Sequence, residues 1–359
     1  MKIKTNVLTK LVNKAYKCST NNDAISLTML MNIKCENNLL TITTSNDYGD
    51  YFFVSDEVDT DDFYVTLYGE QFTKLLNKLS SDYVELLVED GVLLIKANGT
   101  YKLSLPFDEN GDIITYPNPL KDRDITYDTE IKLSDVMKIK SINTSALAKA
   151  LAKTNEVPIY TNYYVGDKVV TTDSNKLCLL DLKLFDKPVM LSVATLDLMC
   201  EMPDDINVKF IDDELICMSG NCILYTHIAD DADDFDIETM MELCDIKVDN
   251  TCKIYKSQLL DTLDRLNLFA DVYKKLRALE LRFNKSYIEI ASLQSNAVER
   301  IDYVDDKEHP EFSCKINADM LMSQIKVIPS EILTVEYGSD AILKLVNNDV
   351  LQILALLND

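Results

Sequence analysis

The chain has 359 residues, of which 47% are apolar and 27% charged, a balance typical of soluble globular proteins with two or three ordinary cores. Its net charge of −24 argues, at face value, against a nucleic-acid-binding protein. No signal peptide is visible and no stretch approaches the ~18 apolar residues that a membrane span needs, so we expect a cytoplasmic protein.

A strand–helix pattern recurs six times along the chain. In each copy an apolar residue at the end of a predicted strand is followed, five positions later, by the first core residue of an amphipathic helix. The copies start 61 to 64 residues apart. The pairs are Ile3/Leu8, Leu67/Phe72, Ile131/Val136, Val193/Leu198, Ile254/Leu259 and Ile316/Leu321. A fixed period indicates a repeat architecture, and six copies taken two at a time predict three domains of ordinary size.

The first two copies show the content of each half-repeat. The apolar stripe of residues 8–15 predicts a helix, and strand-like runs follow at 25–34, 39–44 and 51–54. The second copy restarts with a strand at 63–67 and a helix over 69–80, and the turns Asp90-Gly91 and Asn98-Gly99 then predict hairpins. Residues 117–128 and 236–250 are predicted linkers. We therefore predict an α+β fold of three tandem domains, 1–122, 123–247 and 248–359, each with two β-α-β-β-β half-repeats.

Catalytic and metal-binding signatures are scarce. The nine cysteines include no C-x-x-C and are expected as reduced core residues, while His227 is predicted to be an ordinary strand residue and His309 part of a solvated turn. No phosphate-binding glycine loop or nucleophile elbow occurs. The acidic runs at 56–62 and 230–236 leave a metal-dependent nuclease open, but solvated loops explain them better. We expect no catalytic residue, metal or cofactor.

Lysines, in contrast, recur on equivalent predicted helices. Each group is spaced so that its members share one side of a helix, and repetition would bring the groups to one side of the assembly. The groups are Lys10/Lys14/Lys17, Lys74/Lys78 and Lys149/Lys153. A positive track without a base-reading signature predicts sequence-independent contact with the phosphates of double-stranded DNA.

Three segments resemble the bacterial-type DNA sliding clamp, the β subunit of the replicative DNA polymerase. Residues 169–178, VVTTDSNKLC, are similar to its second-domain motif. Residues 84–96, VELLVEDGVLLIK, resemble its first-domain hairpin, and residues 287–291, YIEIA, the counterpart in the third domain. The likeness runs the full length of the chain, and the Asn-, Lys-, Ile- and Asp-rich usage suits a phage-encoded or divergent bacterial version.

The resemblance implies a function without catalysis. Two chains would join head to tail into a ring with helices lining the hole and sheets outside. The ring would encircle duplex DNA and tether the polymerase and the clamp loader, each through a short peptide motif. Alternatives from the residues alone are an acidic DNA mimic or interaction protein, favoured by the net charge, and the nuclease named above.

The resemblance also implies two sets of site residues. The partner-peptide pocket would comprise Ile159, Thr172, Asn175, Lys176, Leu177, Met241, Ile353, Leu354, Ala355, Leu356 and Leu357. The dimer interface would comprise Lys102, Leu103, Leu105, Leu268, Phe269 and Glu299. This chain has Ser174-Asn175-Lys176 where the family usually has small-His-Arg, and Ala355-Leu356-Leu357 where Met-Pro-Met is common. The apolar run 353–357 has a second interpretation as a buried last strand.

Overall fold

The computed structural model of the chain describes residues 1–22, 24, 26–142, 162–228, 235–269, 271–273, 276–293 and 296–357. Three of the predicted site residues, Lys149, Lys153 and Ile159, lie outside this set. No helix in the described ranges is long and apolar enough to cross a membrane.

The first three half-repeats each contain a short strand, a helix and three further strands. The first comprises β1 (Lys2–Lys4), α1 (Thr5–Ala15), β2 (Leu30–Glu36), β3 (Leu39–Ser45) and β4 (Tyr51–Glu57). The second comprises β5 (Phe63–Tyr68), α2 (Gly69–Leu76), β6 (Tyr83–Glu89), β7 (Val92–Lys96) and β8 (Thr100–Ser104). The third comprises β9 (Thr129–Ile131), α3 (Leu133–Ser141), β10 (Asn162–Val165), β11 (Val169–Thr172) and β12 (Lys176–Leu180).

The last three half-repeats follow the same order, with one helix added between the fourth and fifth and one short strand added in the fifth. The fourth comprises β13 (Val189–Ser192), α4 (Val193–Met199), β14 (Ile206–Ile211), β15 (Glu214–Ser219) and β16 (Cys222–His227), and α5 (Ile237–Asp245) follows it. The fifth comprises β17 (Asn250–Tyr255), α6 (Lys256–Asn267), β18 (Asp271–Tyr273), β19 (Leu276–Phe283), β20 (Tyr287–Ser292) and β21 (Val298–Asp302). The sixth comprises β22 (Phe312–Asn317), α7 (Ala318–Val327), β23 (Ile332–Tyr337), β24 (Ile342–Asn347) and β25 (Val350–Ala355).

The six-fold pattern of the sequence is confirmed residue by residue. All twelve residues of the six pairs are buried, from Leu8 and Phe72 at 0% exposure to Val193 at 9%. In every copy the first member lies at a strand–helix junction, and the second lies in the first turns of the helix. The local spacing alone therefore predicts where each helix begins and which of its first residues is buried.

Two predicted element boundaries are wrong. The strand expected at 25–34 begins with a 3-10 turn, Ser26–Met29, and becomes extended only at Leu30. The helix expected over 69–80 ends at Leu76, and Asn77 follows it. The Thr73 carbonyl accepts both the backbone N–H of Asn77, at 3.2 Å, and the side-chain amide of Asn77, at 2.9 Å.

Half-repeats exchange their first strands. β1 pairs with β6 and β5 with β2, so each opening strand lies beside strands of the other half-repeat. The same exchange joins β9 to β14, β17 to β23 and β22 to β19. Because the sheets are completed only by this exchange, the half-repeats of a pair depend on each other for backbone hydrogen bonds.

The chain divides into two compact units, residues 1–137 with 192–229, and residues 138–191 with 230–359. Each unit contains one eight-stranded and one smaller sheet. In the first unit the orders are β5-β2-β3-β4-β16-β15-β14-β9 and β1-β6-β7-β8. In the second they are β13-β10-β11-β12-β25-β24-β23-β17 and β18-β19-β20-β21, with β22 on β19. The three-domain boundaries stay a prediction.

A buried carboxylate links the first and fourth half-repeats inside the first unit. Asp50 is fully buried, and its side chain accepts hydrogen bonds from Asn46 Nδ2 at 2.8 Å and from Thr195 Oγ1 at 3.1 Å. Burial raises the pKa of Asp50, and the hydrogen bonds from Thr226, Asn46 and Thr195 oppose that rise. Loss of one of these donors would remove a hydrogen bond from a buried carboxylate, which costs about 1 to 3 kcal/mol.

The second predicted linker contains a helix, α5, so the expectation of an irregular segment is wrong there. Ile237, Met240, Met241 and Cys244 follow helical spacing and pack against the second unit's eight-stranded sheet. Asp236 caps the first turn, since its carboxylate accepts from Thr239 N at 3.0 Å. At the other end the buried Lys344 Nζ donates to the carbonyls of Cys244 and Ile246 at 2.7 and 2.6 Å.

Candidate functional site

The lysines of α1 lie on its solvent side. Leu8, Leu11, Val12 and Ala15 are buried on the opposite side, so helical geometry turns the basic ridge outward. Lys10 is exposed and Lys14 half-buried. Lys17 follows the helix in a 3-10 turn, and its Nζ lies 2.6 Å from Glu201 Oε2. Part of the charge of this ridge is therefore balanced locally.

The lysines of the second half-repeat lie beside those of the first. The side-chain amides of Asn13 on α1 and Asn77 after α2 exchange two hydrogen bonds of 2.9 Å. Lys10 precedes Asn13 by three residues, and Lys74 precedes Asn77 by three, so both border this contact. Lys74 pairs with Glu70 in its own helix, whereas Lys78 is exposed beyond the helix end.

The helix of the fifth half-repeat, α6, does not repeat the basic ridge. Asp261 and Asp264 are exposed on α6, and Arg265 there pairs with Glu299. In the third half-repeat Lys138 of α3 pairs with Asp349, and the predicted Lys149/Lys153 group lies outside the described residues. Within the described ranges the lysine ridge therefore belongs to α1 and α2.

The predicted dimer residues lie at two sheet edges. β8 ends the sheet β1-β6-β7-β8, where Lys102 is exposed and Leu103 half-buried. Leu105 follows the strand and is only 3% exposed, which leaves little of its side chain for another molecule. β21 ends the sheet of the fifth half-repeat and carries Glu299.

Two strongly exposed apolar side chains follow α6, and one of them, Leu268, is the most exposed large apolar side chain of the described chain. Leu268 is 81% exposed and Phe269 54% exposed, directly after the last helical turn. The Arg265 guanidinium donates to Glu299 at 2.9 and 2.6 Å and lowers the pKa of that carboxyl. Glu299 is thus already paired within its own chain, beside an apolar surface that is not covered.

Part of the predicted peptide pocket forms one apolar cluster. Leu177 of β12 and Ile353 of β25 are directly paired across the sheet, and Met241 of α5 packs against the same cluster. The margin of the cluster is only partly buried, at Met240, Ile246, Val248 and Leu351. We call this surface the α5 groove; it is defined by Leu177, Met241, Ile353 and that margin.

Other predicted pocket residues lie elsewhere. Leu354 in β25 and Leu356 just after it are buried in the core formed by the fifth and sixth half-repeats, which agrees with the alternative of a buried chain end. Ala355 and Leu357 are half-buried. Among the turn residues, Asn175 is exposed and Thr172 is buried, with its hydroxyl donating to the Lys176 carbonyl at 2.8 Å.

Lys176 is a buried cation rather than an accessible pocket residue. It is 2% exposed, and its Nζ lies 3.4 Å from Asp173 Oδ2 and 3.2 Å from Ser323 Oγ. A buried ammonium needs such partners because it has lost its hydration.

Sequence reasoning missed several residues of the α5 groove. Tyr164 and Phe235 stack with ring centroids 4.9 Å apart, and Ile342 and Cys244 complete the cluster. The spacing of Ile237, Met240, Met241 and Cys244 was the available signal, since i, i+3, i+4, i+7 predicts a helix that covers something apolar.

The prediction for His227 is confirmed, and the prediction for His309 is wrong. His227 ends β16, as expected for a strand residue. His309 is not solvated, because it is 7% exposed and its Nε2 lies 2.8 Å from Asp305 Oδ1. No group of three metal-ligating side chains occurs in the part of the chain that the structure describes, which includes the acidic run 56–62 but not 230–234.

Comparison with solved structures shows full-length similarity to sliding clamps. The clamp of Pseudomonas aeruginosa has 15% identity and a TM-score of 0.82, with 100% of this chain and 99% of that chain covered. The DNA polymerase III β chain of Streptococcus pneumoniae has 16% identity and a TM-score of 0.83. The β subunit of Thermotoga maritima has 12% identity and a TM-score of 0.80, and the coverage of both chains is the same in each comparison. No family model and no curated protein matches the sequence. The chain has the sliding-clamp fold, and the predicted α+β repeat class is confirmed.

Proposed function

We propose that this chain is a DNA sliding clamp. Two copies close head to tail into a ring around duplex DNA and tether a replicative polymerase and a clamp loader. The chain performs no catalysis in this role. Its effect is to hold a partner at high local concentration on the DNA.

The pattern of sheet junctions carries this proposal. The last strand of a half-repeat pairs antiparallel with the last strand of another at β4–β16 and again at β12–β25. Two half-repeats remain, the second and the fifth, and their last strands β8 and β21 are sheet edges within the described chain. The repeat predicts that β8 of one copy pairs with β21 of another. Applied twice, this pairing closes a two-fold ring in which these two edges are paired.

The side chains at the two edges fit such a junction. Leu93 and Ile95 of β7 are buried, and their cross-strand partners Leu103 and Tyr101 share that face of β8. On β21, the buried Ile301 has Glu299 on the same face. Pairing these faces continues the buried layer across the junction, and it places Leu268 and Phe269 beside Leu103. The expected interface is mainly apolar, since Glu299 is already bonded to Arg265.

The charge distribution supports the DNA contact. The chain carries −24 overall, yet α1 and the α2 region present lysines on their solvent side. Helices that line the hole of a ring would hold phosphates loosely, and an acidic exterior would repel DNA that is not threaded.

Topological retention on DNA tests the proposal. Loaded on a nicked circular plasmid, the protein should stay bound through gel filtration at high salt, because a closed ring leaves only by opening. Cutting the plasmid once should release it, because the ring then slides off the ends. Equal retention on circular and linear DNA would indicate ordinary binding, and no retention on either would favour the acidic interaction protein.

For the partner site we propose the α5 groove. A linear peptide with one or two large apolar side chains would pack against its partly buried margin, because a few anchors carry most interface energy. Leu177 and Ile353 would form the base and Met241 one side.

Met241→Ala should lower the affinity for a fluorescent peptide from the cognate polymerase by about 10- to 100-fold, the usual range for losing one anchor. Fluorescence anisotropy measures this. Leu243→Ala is the matched control, because Leu243 is 37% exposed on the same helix and does not belong to the cluster. Unchanged affinity in the Met241 variant would place the peptide site elsewhere.

A further inference from the structure

A crevice lies in the first unit, on the face of its eight-stranded sheet that is turned away from α1. It encloses about 450 Å³ over β2, β3, β4 and β5. Its floor residues Asn32, Thr43 and Phe53 alternate with Ile33, Ile42 and Phe52, which point into the core. The crevice is therefore separated from α1 by the thickness of the sheet.

One wall of the crevice is held in place by hydrogen bonds. Residues 115–121 run over the sheet, and Tyr116 within this segment is only 6% exposed. Tyr116 N donates to the Tyr64 hydroxyl at 2.9 Å, and the Tyr116 hydroxyl donates to Ser45 Oγ at 3.0 Å. The opening is thus preformed rather than a gap beneath a loose loop.

The floor holds polar atoms that lack partners. Thr43 is 4% exposed, and its hydroxyl makes no hydrogen bond to any residue in the described ranges. Asn32 is 6% exposed; its Nδ2 donates to Val65 O at 3.2 Å and to Thr66 Oγ1 at 3.4 Å, while its Oδ1 has no described partner. Thr43 and Asn32 are directly paired across strands. Both side chains line the crevice, so this hydroxyl and this amide oxygen are available to an occupant that hydrogen-bonds.

The rim supplies positive charge and apolar area. Lys34, Glu36 and Lys121 line the crevice. Lys34 pairs with Glu36 at 2.6 Å, and Lys121 has no ion pair among the described side chains, so the rim has one unbalanced positive charge. Leu39 and Tyr64 are exposed at 47% and 44%. The lining contains no glycine and no helix start, so it offers no backbone nest for a phosphate. A single carboxylate matches this rim better than a phosphate does.

We propose that this crevice binds a short extended peptide that carries a carboxylate side chain. A backbone N–H of the peptide donates to Asn32 Oδ1, and a backbone carbonyl accepts from the Thr43 hydroxyl. The carboxylate lies by Lys121, and a neighbouring apolar side chain packs on Phe53 and Leu39. The site is distinct from the α5 groove, which belongs to the second unit, and it does not depend on the clamp proposal.

Saturation-transfer NMR on the full-length protein tests this with two probes, acetyl-Ala-Phe-Glu-Ala-amide and its Gln counterpart, at about 2 mM each, a concentration suited to weak binding. The Glu peptide should give a signal about threefold or more above that of the Gln peptide, because only it carries the carboxylate. Equal signals, or none from the Glu peptide, would overturn the proposal and leave a water-filled crevice.

Two variants locate the binding. Thr43→Val keeps the shape and removes the hydroxyl, and Lys121→Gln removes the charge of an exposed residue. Each should reduce the Glu-peptide signal by about threefold to tenfold. Lys96→Gln should leave it unchanged, because Lys96 is an exposed lysine of the same unit that does not line the crevice. Full signal in both Thr43→Val and Lys121→Gln would refute the assignment.

Discussion

Phe269→Asp should convert the proposed dimer into monomers. Phe269 is 54% exposed at the end of α6, where the repeat predicts that another copy covers it. Burying a carboxylate there would cost about 2 to 4 kcal/mol per junction, the range of a strong interface residue. A two-fold ring contains the substitution at both junctions, so the dimer should lose about 4 to 8 kcal/mol, or about 10³- to 10⁶-fold in Kd.

Sedimentation velocity at micromolar concentration measures this change. Tyr48→Asp is the control, because Tyr48 is an aromatic residue of nearly equal exposure, 53%, in the turn between β3 and β4. The control should stay dimeric, and both variants should keep the wild-type circular dichroism spectrum. A Phe269→Asp protein that remains dimeric would rule out the β8–β21 junction as proposed.

Reversing two lysines should weaken DNA association strongly. Lys10 and Lys78 are exposed and form no ion pair with any described residue, unlike Lys17 and Lys74. Each lost phosphate contact should reduce the slope of log K against log salt by about 0.9, so Lys10→Glu with Lys78→Glu should reduce it by about 4 per dimer. The new carboxylates add repulsion, so affinity should fall at every salt concentration.

Fluorescence titration of a labelled duplex over a range of salt concentrations measures the slope. Lys96→Glu is the control, because Lys96 lies on β7 and pairs with Glu85 across the sheet. This substitution changes the net charge by the same amount as each of the other two. If the double variant keeps the wild-type slope, these lysines are ordinary solvated side chains.

The sequence was informative where burial follows from local spacing. Ile3 and Leu8, like their five counterparts, are buried because a strand end and a helix start five residues apart present both side chains to the same core. The lysines of α1 are outward for the same reason, since the apolar stripe leaves them only the other face. These features need no knowledge of distant residues.

The sequence was uninformative where distant residues decide the outcome. α5 lies in an acidic segment that looks like a linker, and its last turn is held by Lys344, which is 100 residues from Cys244. His309 looks like part of a solvated turn, yet Asp305 and the backbone of Lys285 hold it in a buried position. Composition describes the segment itself and carries no information about these partners.

The α5 groove and the edge strands β8 and β21 show most clearly which features follow from the sequence and which follow from the tertiary structure. The sequence by itself determined the repeat, the six helix starts and the apolar character of residues 353–357. Only the tertiary structure decided that Ile353 lies opposite Leu177 on the α5 side while Leu354 points into the other core. It also decided that, of the strands that close a half-repeat, β8 and β21 are the two at sheet edges in the described chain. The reason is that strand pairing is a contact between residues far apart in sequence, and a shift by one residue moves every side chain to the opposite face.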